Sequence, residues 1–314
     1  NEVTMESIEI IASGSYIPKN KVTNAILAKQ LGITEEYIFK RTGIKQRFFA
    51  SETESIENMA TNAAKDALEK AKVEKEKIDM IVVATTATEC FMPGISYQVQ
   101  RQLDIKECIC FDLLAGCSGY INGIDIIRNY IALGRIEKAI LIGVENLSAH
   151  TKKDDIGTAI LLSDGAGATI IQKAEKEKKY ESYIKSEGQQ GDILISKVNE
   201  SIYMEGKEVY KYAITETVEN IKELLKRSGE KLENIKYIIP HQSNDRILQA
   251  IANRLKIDES KVYRNIATKG NTFCASIPIV LEEIQEKELL NPGDKIILLG
   301  YGGGLNTGSI LMEV

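Results

Sequence analysis

The same succession of sequence patterns occurs twice along this chain of 314 residues. Each copy gives, in order, an apolar strand-like segment, the end of a helix, a glycine-led turn that opens an apolar helix, and a second apolar strand-like segment. Equivalent residues are separated by roughly 155 positions in every pair, which predicts a duplicated structural unit. The matched pairs are 78–83 with 235–240, 99–105 with 251–257, 116–118 with 270–272, and 140–143 with 297–300.

Apolar residues within each copy alternate between the periods of strands and helices, as is typical of an α/β protein. The segment 56–71 carries apolar side chains at i, i+3, i+4 and i+7, which predicts a helix with one narrow apolar face. The segments that follow Cys117 and Asn271 are instead apolar on nearly all sides. A helix of that kind is buried between layers, so the two copies together predict a five-layer stack of helices and sheets.

The junction between the two copies is predicted near residue 173. The charge run 175–179, whose residues alternate in sign, follows this point and is interpreted as a solvated turn. We therefore expect two halves, 1–172 with the candidate nucleophile and 173–314 with its partners. Neither half is expected to be stable alone.

Composition excludes several classes of protein. Hydrophobic residues make up 43% and charged residues 27% of the chain, and the net charge of −5 lacks the basic footprint of a nucleic-acid binder. The charge-free stretch 296–312 is interrupted by Gly302-Gly303-Gly304 and by Asn306-Thr307, so it cannot form a membrane-spanning helix. Five cysteines, an odd number, predict reduced thiols in a cytoplasmic protein, and two histidines without a C-x2-C pair make a zinc site unexpected.

Cys117 is the first candidate for chemistry. The apolar segment 108–114 gives way through Ala115-Gly116 to a helix, which puts Cys117 at the N-terminus of that helix. The helix dipole and the free N–H groups at such a position lower the pKa of a thiol and favour the thiolate. The alternative interpretation is a small buried hydrophobic residue, which is also how the other four cysteines are interpreted.

His241 and Asn271 are the second and third candidates. His241 follows the strand-like segment 235–240, and α/β folds put their sites at the carboxyl ends of strands, although a structural histidine remains an alternative. Asn271 occupies the second copy's version of the Cys117 position, so the repeat predicts that the two meet at the centre of the molecule. No carboxylate adjoins His241 in sequence, which disfavours a Cys-His-Asp hydrolase. Hydrogen bonds from His241 and Asn271 to an oxyanion would suit an enolate that attacks a thioester on Cys117.

Three further features are interpreted more simply. His150 lies in a polar segment and is expected at the surface. The run 163–168 precedes a strand, lacks the spacing of a dinucleotide loop and is interpreted as a structural turn. Gly302-Gly303-Gly304 would allow a backbone N–H to approach the carbonyl of a thioester on Cys117. A plain tight turn is the alternative interpretation.

Six motifs in the same order carry a resemblance to a known family. The chain resembles the thiolase superfamily over nearly its whole length, and within it the 3-oxoacyl-[acyl-carrier-protein] synthase III enzymes. The resemblance implies an α/β fold of the thiolase type, with five layers (αβαβα) made of two duplicated halves. The motifs are Gly14-Ser15-Tyr16-Ile17-Pro18, Arg41-Thr42-Gly43-Ile44, Ala115-Gly116-Cys117-Ser118-Gly119, Asp164-Gly165-Ala166-Gly167-Ala168, Ile239-Pro240-His241-Gln242-Ser243-Asn244, and Gly270-Asn271-Thr272 with Ala275-Ser276-Ile277-Pro278.

The resemblance implies an acyltransferase that performs a decarboxylating Claisen condensation and initiates fatty acid synthesis. A short acyl primer passes from acyl-CoA to Cys117, and His241 and Asn271 then assist the decarboxylation of malonyl-acyl carrier protein (malonyl-ACP), which gives 3-oxoacyl-ACP. The implied oxyanion hole is formed by the backbone N–H groups of Cys117 and Gly303. No metal or cofactor is implied, because the thioesters of CoA and ACP are substrates. The implied assembly is a homodimer in which Phe91 caps the partner's acyl pocket.

The resemblance also implies a substrate-binding set. Tyr37 stands where family members have a tryptophan that stacks on the CoA adenine, and the segment 155–158 lacks the family's arginine on the other side of the adenine. Cation–π stacking from that arginine is therefore expected to be lost, at about 0.5–2 kcal/mol. Arg246 matches a basic residue that docks the acidic carrier protein. The implied set is Tyr37, Arg41, Phe91, Asn244, Arg246 and Tyr301.

Two other functions stay open at this level. The altered adenine site is also consistent with a relative that transfers its acyl group to a different acceptor in specialised metabolism. A subunit that binds acyl groups or ACP without catalysis is a further alternative, which the presence of all three reactive residues disfavours.

Overall fold

A computed structural model describes residues 7–88, 90, 92–152, 154–197 and 200–314. The helices among these residues are α1 (Asn24–Leu31), α2 (Glu35–Thr42), α3 (Ile56–Ala71), α4 (Ile95–Leu103), α5 (Gly119–Ala132), α6 (Ile156–Ala159), α7 (Gly206–Ser228), α8 (Asp245–Leu255), α9 (Ile266–Lys269) and α10 (Ser276–Glu286). The strands are β1 (Ile8–Tyr16), β2 (Asn20–Thr23), β3 (Gln46–Phe49), β4 (Met80–Ala84), β5 (Ile109–Leu113), β6 (Lys138–Glu145), β7 (Gly165–Lys173), β8 (Tyr180–Ser186), β9 (Leu194–Ile195), β10 (Tyr203–Met204), β11 (Ile235–Pro240), β12 (Lys295–Gly302) and β13 (Asn306–Glu313).

Two sheets form the framework, and the strands predicted by the repeat lie at equivalent places in them. The first sheet has the order β1-β7-β6-β4-β5, and the second has the order β11-β12-β13-β8. Strands β4 and β6 pair in parallel in the first sheet, as β11 and β12 do in the second. Every residue of β4 is buried, which is why its sequence is a continuous apolar run rather than an alternating one. The four repeated strand-like segments are therefore confirmed as strands.

Helices and sheets alternate in five layers. Helices α3 and α4 pack on the outer face of the first sheet, and α7 packs on the outer face of the second with α8 beside it. Helices α5 and α10 lie between the two sheets, where they share one apolar cluster with residues from both. The prediction of two central buried helices is confirmed, and their all-round apolar sequences are explained by contact with a sheet on each side.

Helix α3 shows how the local sequence sets an element. Ser55 caps its N-terminus by accepting a hydrogen bond from the backbone N–H of Asn58, and Lys72 ends it in the left-handed conformation. Its buried face is rich in alanine, which lets the helix lie directly on β1. A Cβ built on Gly14 of β1 would come within 2.8 Å of the carbonyl oxygen of Ala63, so the close approach requires glycine there.

Two details differ from the sequence predictions. The segment that holds Cys117 first forms a 3₁₀ turn, Gly116–Ser118, and α5 begins after it. The prediction that His150 is a surface residue is wrong. It is half-buried, and its Nε2 atom is buried without a hydrogen-bond partner among the described residues.

The division of the chain into 1–172 and 173–314 stays a prediction. The strands of the first sheet all precede residue 174, and those of the second all follow it. Among the described residues, no helix is both long enough and apolar enough to cross a bilayer.

We expect the central layer to dominate stability. Ile124 of α5 is fully buried between the sheets, so Ile124→Ala should lower the free energy of unfolding by about 2–5 kcal/mol through lost burial and a residual cavity. The same substitution at Ile26, which is 46% exposed, should change it by about 0.5 kcal/mol or less. Urea unfolding at one fixed protein concentration measures both values, and equal losses would contradict the assignment of α5 to the core.

Candidate active site

The candidate residues converge where the two halves of the fold meet. The turn Gly116–Ser118 packs against β12 and against a second 3₁₀ turn, Phe273–Ala275. Asn271 precedes that second turn, and His241 follows β11, the parallel neighbour of β12. The repeat therefore does bring the Cys117 turn and the Asn271 turn together, as the sequence predicts.

Cys117 is buried, with 4% of its surface exposed, and the glycine loop after β12 lies over it. Gly116 has a φ of +57°, which glycine adopts without strain, and its α-carbon faces the backbone of Gly303. A Cβ built on Gly302 would lie 2.8 Å from the sulfur of Cys117. The backbone of Gly303 hydrogen-bonds to the same sulfur. The loop forms the turn between β12 and β13 and is also in close contact with the thiol, so it is more than a plain tight turn.

The expected lowering of the Cys117 pKa is not found. Burial raises the pKa of the thiol well above its ordinary value, and the negative charge of Glu145 adds to the rise. Hydrogen bonds from the backbones of Gly303 and Cys117 oppose it but are outweighed. The helix N-terminus does not lower the pKa of the thiol as the sequence predicts, because the thiol has lost its contact with water and has an acidic neighbour. In the free protein Cys117 is a thiol.

His241 is also neutral. It is 2% exposed, and burial lowers the pKa of its imidazole to about 3, a shift opposed by a hydrogen bond to the backbone of Phe273. Its Nδ1 atom lies 2.8 Å from Oγ of Ser276. The ring of Tyr301 lies edge-on to it, with the ring centroids 5.4 Å apart. A neutral imidazole in this position has one nitrogen able to accept a proton.

The carboxamide of Asn271 is fixed by two hydrogen bonds. Its Nδ2 donates to the carbonyl oxygen of Ser243 at 3.2 Å, and its Oδ1 accepts from the backbone N–H of Phe273 at 3.0 Å. Its own backbone bonds to Leu161 and Ser163 of the first half. Because Nδ2 carries two hydrogens and uses one, Asn271 keeps a free donor for a ligand.

Tyr301 holds the loop that follows β11. Its hydroxyl is 2.7 Å from Oγ of Ser243 and donates to the carbonyl oxygen of His241 at 3.2 Å. Burial raises the pKa of the phenol above its ordinary value, so it stays protonated and able to donate. The hydroxyl of Tyr301 therefore fixes the backbone of the candidate histidine.

Three side chains near the site were not predicted from the sequence: Glu145, Cys274 and Ser276. Glu145 ends β6 and is fully buried; it accepts hydrogen bonds from Oγ1 of Thr86 at 2.8 Å and from the sulfur of Cys274 at 2.8 Å. Burial raises its pKa to about 7 against these hydrogen bonds. A carboxylate directly after the apolar run 139–144 was a signal that sequence reasoning could have used.

The outer candidates lie apart from the thiol, on α2 and at the start of α8. The guanidinium of Arg41 lies 5.0 Å from the ring centroid of Tyr37, so the aromatic at position 37 does have a cationic neighbour, one turn along its own helix. Asn244 donates to the carbonyl oxygen of Arg41 at 3.1 Å and caps α8. Arg246 is exposed at the start of α8, with its guanidinium 5.8 Å from the ring centroid of Tyr210. Phe91 lies outside the described residues.

The fold defines a class of enzymes. An αβαβα stack built from two copies of one unit is the architecture of the thiolase fold, and a thiol where the first copy's central helix begins is suited to carry an acyl group as a thioester. On these grounds the chain is a thiolase-fold acyltransferase.

Known proteins narrow the class to one family. Residues 111–188 match the family described as 3-oxoacyl-[acyl-carrier-protein (ACP)] synthase III, and residues 225–314 match its C-terminal part. The beta-ketoacyl-[acyl-carrier-protein] synthase III of Clostridium kluyveri is 40% identical over 323 aligned residues, covering 99% of this chain and 100% of the relative. That of Clostridium novyi is 36% identical, covering 98% and 99%.

A solved structure agrees with these relatives. The crystal structure of 3-oxoacyl-[acyl-carrier-protein] synthase III from Aquifex aeolicus VF5 matches with a TM-score of 0.95 and 38% sequence identity, covering 98% of this chain and 100% of that one. The chain belongs to the 3-oxoacyl-[acyl-carrier-protein] synthase III family. The predicted fold class, five layers from two duplicated halves, is confirmed.

The charge of Glu145 should slow the reaction of Cys117 with alkylating agents. Glu145→Gln removes a negative charge that raises the pKa of the thiol, so the thiolate fraction near pH 8 should rise about threefold to tenfold. The measurement is the rate of iodoacetamide labelling at Cys117, followed by peptide mass spectrometry because Cys90 is exposed and also reacts. Glu219→Gln, on the surface of α7, should leave the rate unchanged. A slower reaction in Glu145→Gln would contradict the electrostatic assignment.

Proposed function

We propose that this chain transfers a short acyl primer from acyl-CoA to Cys117 and condenses it with malonyl-ACP to give 3-oxoacyl-ACP, the initiating step of fatty acid synthesis. The observation that carries the proposal is the contact between the buried thiol of Cys117 and the backbone of Gly303. The turn that holds Cys117 also packs against the turn that follows Asn271. Family membership and the neutral imidazole of His241 support the same chemistry.

Acyl transfer forms a bond between the sulfur of Cys117 and the carbonyl carbon of the primer, and it breaks the bond from that carbon to the sulfur of CoA. The thiol proton passes to Nε2 of His241, and the departing CoA thiolate takes a proton from water. Burial favours the neutral forms of both Cys117 and His241, so a free thiolate–imidazolium pair is disfavoured. Proton transfer and attack on the carbonyl are therefore coupled.

Condensation begins when the malonyl group loses carbon dioxide. The electron pair of the broken carbon–carbon bond forms an enolate, whose oxygen accepts hydrogen bonds from the free N–H of Asn271 and from His241. The enolate carbon attacks the acyl group, the carbon–sulfur bond to Cys117 breaks, and the resulting thiolate takes a proton to restore the thiol. These steps balance without a metal or cofactor: the two thioesters and Cys117 supply the reacting carbon and sulfur atoms, and water supplies the one proton that the released CoA thiolate takes up.

The oxyanion of the primer would be bound by the backbone N–H groups of Cys117 and Gly303. Both backbones are already hydrogen-bonded to the sulfur in the free protein. A preorganised pair of donors in a buried site stabilises a developing negative charge more than water does, because the donors need no reorientation.

The mouth of the site offers contacts for CoA and for the carrier protein. We assign Tyr37 and Arg41 to the adenine end of CoA, supported by their stacked pair on the surface of α2. Asn244 links this pair to α8, where Arg246 is exposed and suited to an acidic carrier protein. Tyr301, which contacts His241 edge-on, is assigned to the inner wall.

A homodimer is supported by the edge of the first sheet. Strand β5 pairs with β4 on one side, and no described strand pairs with its other side. Ile109 at its start is 39% exposed, and Leu114 just after it is 71% exposed. An apolar strand edge of this kind is a template for pairing with a second copy, here about a two-fold axis. The role of Phe91 across this interface stays a proposal.

We assign the protein to the cytoplasm, where the thiol that the chemistry needs is kept reduced. All five cysteines are free thiols.

Separate tests of the two half-reactions check the assigned roles. Cys117→Ser should abolish acyl transfer, because a hydroxyl lacks the nucleophilicity of a thiol. Asn271→Ala should spare acyl transfer and slow decarboxylation by about 100-fold or more, since it removes a donor to the enolate. Intact-protein mass spectrometry after incubation with a panel of acyl-CoA and acyl-ACP donors, followed by a chase with malonyl-ACP, measures both steps.

Asn129→Ala, on the exposed side of α5, is the matched control and should behave as the unchanged protein. An acyl adduct on Cys117 that persists through the chase, with no 3-oxoacyl-ACP formed, would contradict the condensation and indicate a different acceptor. No adduct from any donor would contradict the whole mechanism and leave a binding role.

The dimer should depend on the apolar edge of β5. Ile109→Glu would bury a charge in the proposed interface, so light scattering after size-exclusion chromatography should show the mass of one chain instead of two. Leu133→Glu, at a position 76% exposed after α5, introduces the same charge elsewhere and should remain dimeric. A dimer unaffected by Ile109→Glu would place the interface on another surface.

A further inference from the structure

Ser276, the first residue of α10, has three hydrogen-bond partners but only one proton to donate. Its Oγ donates to the carbonyl oxygen of Phe273 at 2.8 Å and accepts from the backbone N–H of Gln242 at 3.2 Å. The third partner is Nδ1 of His241, at 2.8 Å. The carbonyl oxygen of Phe273 can only accept, so we assign the single hydroxyl proton to it and the hydrogen between Ser276 and His241 to Nδ1.

This arrangement fixes the tautomer of His241. A neutral imidazole carries one hydrogen, and if Nδ1 holds it, Nε2 has only a lone pair. That form is suited to accept the proton of Cys117 during acyl transfer. It cannot donate a hydrogen bond to the enolate during condensation, so the two half-reactions require opposite properties of the same nitrogen.

We propose that Ser276 is a positioning residue that holds His241 as the Nδ1–H tautomer, so that Nε2 donates to the enolate only when the ring carries a second proton. This inference rests on the proposed function. The second proton is the one taken from Cys117: it stays on Nε2 while the acyl group occupies the sulfur, and the departing CoA thiolate takes its proton from water. After condensation the proton returns from Nε2 to the thiolate of Cys117, and the balance is restored.

The surroundings support a temporary charge of this kind better in the loaded enzyme than in the free one. Acylation removes the ionisable thiol, and malonyl-ACP then brings a carboxylate, and later an enolate, to the site. Both carry the negative charge that an imidazolium needs nearby. Tyr301, whose ring lies edge-on to the imidazole, stays protonated and adds no charge.

The tautomer can be observed directly, because the chain has only two histidines. The experiment is long-range proton–nitrogen correlation NMR on protein labelled with ¹⁵N-histidine, with His150→Gln used to assign the remaining signal to His241. The free protein should show a neutral Nδ1–H ring. The second sample is protein that is acylated on Cys117 and then bound to a malonyl thioester analogue that cannot decarboxylate. It should show a ring protonated on both nitrogens. A neutral Nε2–H ring in either state would overturn the proposal.

Two variants separate positioning from simple structural support. Ser276→Ala should lose the preference for Nδ1–H and slow acyl transfer about 10- to 100-fold, because a ring protonated at Nε2 cannot accept the thiol proton. Ser276→Thr keeps the hydroxyl and should retain the Nδ1–H signal and most of the rate. Ser309→Ala, which removes another buried serine hydroxyl, should leave the His241 signal unchanged. An unaltered Nδ1–H signal in Ser276→Ala would overturn the role of Ser276.

The NMR measurement on the free protein needs no substrate, so the inference and the proposed function can fail separately. An Nε2–H ring in a protein that does condense malonyl-ACP would reject only the inference. An Nδ1–H ring in a protein that does not condense malonyl-ACP would reject only the proposed function.

Discussion

The close packing of two backbone segments, the Cys117 turn and the glycine loop after β12, is the constraint on which the rest of the site depends. Gly116 and Gly302 are required because a Cβ on either would collide with the opposite segment. The approach also requires β12 to sit beside the start of α5, and so it depends on the two central helices that are packed between the sheets. The peptide N–H of Gly303 reaches the nucleophile, beside that of Cys117 itself, because three structural layers hold the two segments in register.

Burial without a counter-charge is the electrostatic consequence of this packing. It raises the pKa values of Cys117, Tyr301 and Glu145 and lowers that of His241, so each group is pushed toward its neutral form. A site of this kind does not hold a permanently activated thiolate. Charge has to arise during the reaction itself. This suits a reaction in which a proton passes from sulfur to imidazole and an enolate carbon then attacks the acyl carbon.

The duplicated unit is used asymmetrically. The same kind of turn, placed before a central helix, carries a thiol in the first copy and a carboxamide in the second. In the second copy, Ser276 at the start of the central helix bonds to the ring of His241, whereas in the first copy the helix begins just after the nucleophile. Duplication therefore supplies two matched scaffolds facing each other, and the side chains at equivalent points divide the covalent and proton-handling roles between them.

The sequence by itself determined the duplication, the repeated strands, the central buried helices and the three candidate residues, because apolar periodicity and repeated spacing are local properties. It did not determine the ionisation of Cys117, since a helix N-terminus can be read from sequence but the loss of water and the charge of Glu145 cannot. The pairs Glu145–Cys274 and His241–Ser276 join residues 129 and 35 positions apart. Only the tertiary structure decided these contacts, because hydrogen bonds between distant segments depend on how the layers stack, and no local pattern records that.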